Sequence, residues 1–77
     1  MKKTVLVKMK ENQKGRVLEI TGGYSIQNKF MSMGIYPGRE ITKLSHFALK
    51  GPVTIKTGRS VLALGHGMAA KIILEVE

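Results

Sequence analysis

Two histidines, His46 and His66, carry the side chains best suited to proton transfer or metal binding in this sequence. They stand 20 positions apart, and neither has a histidine or carboxylate at the third or fourth following residue. A built metal site needs three or four ligands and partners that orient them. The spacing therefore predicts two surface-loop histidines. Weak divalent-metal binding through His46, His66 and glutamates is kept as an alternative. Met31 and Met33 offer soft sulfur, but Met33 falls on an apolar stripe, which assigns it to the core. Gly65-His66-Gly67-Met68-Ala69-Ala70 has the G-x-G-x-x-A spacing of a dinucleotide-binding turn. That chemistry needs a helix next and an acidic residue on a second strand about 20 positions later. The sequence reaches only Glu77, so a loop is expected there. There is no cysteine and no aspartate. Thiolate metal sites, disulfides and a cysteine nucleophile are excluded, and no serine sits in a G-x-S-x-G elbow. We expect neither enzyme activity nor a cofactor.

The elements that must position these residues fit in one small domain, residues 1–77. A chain of 77 residues uses nearly all its apolar side chains to close one core and has few left to line a deep pocket. The formal net charge is +8, and residues 1–16 hold six of the 13 basic residues with Glu11 as the one acid. Such a surface suits an acidic partner. Nucleic acid is one such partner, and a basic nucleic-acid-binding barrel is the second alternative. Of the four aromatics, Phe30 belongs to the core. Tyr24, Tyr36 and Phe47 are not interleaved with the basic residues, so a stacking platform is missing and no nucleic acid is expected. The apolar stretch after Lys3 is too short for a signal segment, and none reaches the roughly 20 residues of a membrane span. A cytoplasmic protein is expected.

Alternation over residues 4–10, with Val5, Val7 and Met9 on one face, predicts a first strand. Residues 16–21 predict a second, with Leu18 and Ile20 sharing a face. Residues 25–33 change period: Ile26, Phe30 and Met33 lie at i, i+4 and i+7, one stripe of a short helix. Ser25 is the expected N-cap. Gly34 sits where a left-handed C′ residue is wanted, with Ile35 placed to contact Phe30, and Pro37 forbids resumption. Strands follow at 40–46, 52–57, 60–64 and 71–76, with a tight bend at Gly58-Arg59. Residues 65–70 form a loop that can tighten into one helical turn. Short strands at close spacing predict a small, mostly β barrel of five to six strands with one short helix after the second.

Lys29-Phe30-Met31-Ser32-Met33-Gly34-Ile35-Tyr36-Pro37-Gly38 resembles the signature of the FeoA family. Lys50-Gly51-Pro52-Val53-Thr54-Ile55, Ser60-Val61-Leu62-Ala63-Leu64, Ala69 and Ile72-Ile73-Leu74-Glu75-Val76 resemble its later segments in order. The match runs from about Gly15 to Glu77. One departure is that Gly65 and Met68 occupy places where the family often has a base and then an acid.

The resemblance implies an SH3-like barrel of bacterial ferrous iron uptake. It implies an accessory protein that binds and modulates a FeoB-type transporter at its cytoplasmic part, reaching the membrane only through that partner. A related domain closes some metal-dependent repressors, so fold alone fixes neither partner nor role. Docking is expected through the helix and the turn after it, with Met31, Tyr36 and Arg39 as contacts.

Overall fold

The computed structural model describes residues 1–48 and 50–77. It contains strands β1 (Lys2–Val5), β2 (Lys14–Ile20), β3 (Glu40–His46), β4 (Val53–Thr57), β5 (Ser60–Leu64) and β6 (Ile72–Val76). Helix α1 (Tyr24–Ser32) follows β2, and a single helical turn, α2 (His66–Ala69), precedes β6. All pairings are antiparallel, in the order β1-β6-β2-β3-β4-β5. The strands form one sheet around a core that includes Val17, Phe30, Ile35, Ile41, Ile55 and Leu74. The expected mostly β small barrel with one helix after the second strand is the architecture found. β1 and β5 remain edge strands with no ladder between them among the described residues, so the barrel is partly open.

The first strand is shorter than alternation predicts. It ends at Val5, and a 3-10 turn spans Leu6–Lys8. Leu6 and Met9, three apart, are buried, while Val5 and Val7 are only half-buried. A 3-10 turn has three residues per turn, so its core side chains recur at i and i+3, not i and i+2.

The second strand also differs. Val17 and Ile20 are buried, and Leu18 is half-buried. Val17 pairs with Leu74, but Glu19 pairs with Ile73, so Leu18 is the extra residue of a β-bulge. The bulge shifts the alternation by one and moves the core face from Leu18 to Val17.

Helix α1 begins one residue early. Gly23 is its N-cap, and no side chain caps it, so Ser25 does not play that part. Gly lies at φ 115° in position 22 just before it. The C-terminus follows expectation. Ile35 N–H donates to Phe30 O at 2.9 Å and Gly34 N–H to Met31 O at 3.0 Å, the paired bonds of a Schellman ending. Gly34 has φ 83°, a left-handed conformation that favours glycine. Phe30 and Ile35 are wholly buried in the same core.

Candidate functional site

Lys43 is the one charged side chain buried in the core among the described residues, only 2% exposed. Strand alternation puts it there. Ile41 faces inward, so Lys43, two positions on, must face inward too. The 3-10 turn that cuts β1 short supplies its partners. Lys43 Nζ donates to Val7 O at 3.0 Å and Met9 O at 2.7 Å. It also lies 3.2 Å from His46 Nδ1. The Lys43 backbone is tied to the same loop, accepting from Asn12 N–H at 2.6 Å and donating to Gln13 O at 2.9 Å. Burial lowers the pKa of Lys43 from its usual value of 10.5, and the nearby Glu11 charge opposes that in part.

The two histidines do not sit apart on surface loops. A bulge in β3 between Lys43 and Ser45 re-aims the end of the strand, and α2 starts at His66. Their ring centroids are 5.9 Å apart at 31°. Both residues are half-buried, and together with Val7, Lys8 and Ala48 they line a cleft of about 480 Å³. His46 Nε2 and His66 Nδ1 are buried with no hydrogen-bond partner among the described residues. As an ammonium, Lys43 has three protons for two carbonyls and His46 Nδ1, which leaves the ring proton of His46 on Nε2. The described residues hold no group of three or more His, Cys, Asp or Glu able to share a metal ion. The charges beside the pair, Lys43 and Lys8, are positive. This setting suits an anion better than a cation.

The second candidate region is α1 and the turn after it. Met31 is 60% exposed and Tyr36 37% exposed, so both are presented to solvent as expected. Arg39 is half-buried and spans the turn. Its Nε donates to Thr57 Oγ1 at 3.0 Å and its Nη1 to Tyr36 Oη at 3.2 Å. The guanidinium carbon lies 5.8 Å from the Tyr36 ring centroid. Gly38 N–H donates to Val17 O and Val17 N–H to Arg39 O, fixing the turn against β2. Tyr24, exposed at the start of α1, adds an aromatic seven residues before Met31, on the same helix face.

Sequence reasoning passed over Lys43, although the Ile41-x-Lys43 alternation marks it. It could not bring His46 to His66, because no local spacing encodes the approach of β3 to α2.

The FeoA domain model matches residues 4–76. A relative from Methanocaldococcus jannaschii, named as Fe(2+) transport protein A, is 35% identical over 66 residues, covering 86% of this chain and 78% of that one. A crystal structure described as an iron uptake regulatory protein, FeoA, is similar at 32% identity and TM-score 0.88, covering 97% of both chains. A FeoA-like protein from Clostridium acetobutylicum is similar at 26% identity and TM-score 0.84, covering 99% of this chain and 88% of that one. A manganese-dependent transcriptional repressor shares the fold at 18% identity and TM-score 0.87, with 97% of this chain matching 42% of that one. Matched over nearly its whole length, the chain belongs to the FeoA family, a family associated with ferrous iron transport.

Proposed function

We propose that this chain is a non-enzymatic accessory protein of ferrous iron uptake that docks on the cytoplasmic part of a FeoB-type transporter and modulates it. Family membership supplies the transport context. The observation that carries a docking role is the fixed turn at residues 34–39, which orders Tyr36 and Arg39 just after a helix on which Met31 is exposed. An interface gains when its aromatic and arginine anchors are already ordered, because less side-chain entropy is lost on binding. The core is filled by apolar side chains. That arrangement favours action through the surface.

The test is co-purification with the soluble cytoplasmic domain of the cognate transporter. Retention of the wild-type protein, weakened by Tyr36→Ser, supports docking through this turn. Absence of retention at low salt, with the protein folded, contradicts it.

A further inference from the structure

Lys2, Lys3, Lys8 and Lys10 line one concavity of about 260 Å³, closed on another side by Val76 and Glu77. Glu77 sets one side-chain carboxylate against these four lysines, so the lining keeps a positive balance that favours an acidic ligand. Among the described residues none of the four is in an ion pair; the one salt bridge there joins Arg16 to Glu75. Lys8 lines both this concavity and the cleft of His46 and His66. The two hollows therefore meet at Lys8.

We propose that this face, Lys2, Lys3, Lys8 and Lys10 continuing into the His46–His66 cleft, receives an acidic segment of a protein partner, one carboxylate of which bonds the His66 ring. Charge complementarity commits the surface to an acidic occupant: the chain carries +8, and residues 1–10 hold four lysines and no acid. The cleft adds shape and chemistry. Its walls include the apolar Val7 and Ala48, and Phe47, 76% exposed, follows His46 in the chain. A groove for single-stranded nucleic acid needs successive aromatics along a basic track, and among the described residues no Phe or Tyr lines this cleft. An acidic peptide with one apolar side chain fits better. The unpaired nitrogens of His46 and His66 do not reach solvent in the free protein. A buried polar atom without a partner is destabilising, so a movement that exposes His66 Nδ1 to a ligand oxygen is favoured. The His66 ring has no side-chain hydrogen bond among the described residues and heads a single helical turn. A contact through Nδ1 requires the ring to turn, and no side-chain hydrogen bond holds it against that among the described residues. This surface is separate from the α1 turn, and the inference stands whether or not the partner is the transporter.

The experiment is an NMR titration of the folded protein with a short glutamate-rich peptide carrying one leucine, beside the same peptide with glutamine for glutamate. The expected result is saturable shifts at residues 2–10 and at both imidazoles with the acidic peptide alone. Affinity should fall several-fold as salt rises from about 0.05 M to about 0.2 M. Lys8→Glu, a surface change, should weaken binding about tenfold. His66→Asn should weaken it about threefold. Equal response to the glutamine peptide, no effect of Lys8→Glu, or tighter binding of an oligouridine or of zinc ions at the same site would overturn the proposal. An unchanged affinity in His66→Asn would overturn the histidine contact.

Discussion

The Lys43 ammonium lies 3.2 Å from His46 Nδ1, on the same strand and three residues away, and the pair joins the barrel core to the histidine cleft. On the other side, the same nitrogen bonds two carbonyls of the N-terminal loop. One buried side chain thus fixes the loop, the orientation of a candidate site residue and the end of β3.

Lys43→Met keeps the aliphatic stem and removes the charge. The carbonyls of Val7 and Met9 lose a donor, and a buried acceptor left unpaired costs about 1 to 3 kcal/mol. We expect urea denaturation to show a loss of about 2 to 4 kcal/mol. A buried charge is also costly to desolvate, so a variant as stable as wild type would mean that this cost cancels the hydrogen bonds.

The lowered pKa of Lys43 gives a pH dependence of definite sign. Above 10.5 the lysine is neutral in both folded and unfolded chains. As pH falls from there toward the lowered folded value, the unfolded chain binds the proton first. Stability contributed by this group is therefore greatest above 10.5, declines through that window, and is flat below it. The measurement is unfolding free energy against pH for wild type minus Lys43→Met. A difference that declines with rising pH across the window would contradict the assignment.

Gly34 and Gly58 both have positive φ, 83° and 62°. A Cβ on Gly34 meets nothing within 4 Å, whereas one on Gly58 runs into the Arg39 guanidinium. Gly34→Ala should cost about 1 kcal/mol from backbone strain alone. Gly58→Ala should cost more and should also disturb the Arg39–Tyr36 contact. Thermal melts rank the two, and the Tyr36 ring signals report the second effect.

Arg16 Nη2, exposed on β2, lies 2.7 Å from Oε1 of the half-buried Glu75 on β6. Such a pair contributes about 0.2 to 1 kcal/mol and is screened by salt. A double-mutant cycle with Arg16→Ala and Glu75→Ala should return a coupling in that range that shrinks in high salt. A larger, salt-insensitive coupling would mean that the pair is far less solvated than its exposure indicates.

The clearest sequence signals were those written in local chemistry. The Gly34–Pro37 ending of α1, the β3 span and the Gly58 bend could be read because turn geometry and alternation act over a few residues. The β-bulge at Leu18 could not, since it depends on which residue of β6 lies opposite. The 3-10 turn at Leu6 escaped because its three-residue rhythm was overlaid on valines that also alternate. At the candidate sites, Met31 and Tyr36 were legible as apolar residues bordering a helix end. The His46–His66 approach was not, since 20 residues and two strands separate them. Lys43 was legible in principle, but a lysine on an inward-facing position reads as an interruption until its carbonyl partners are known.

Calorimetric titration of the transporter's soluble cytoplasmic domain with this protein tests the docking claim most directly. The account predicts saturable binding that the pair of substitutions Met31→Ser and Tyr36→Ser weakens at least tenfold, about 1.4 kcal/mol, while leaving the fold intact. Heat that never rises above dilution, or binding that the double variant leaves untouched, would contradict it.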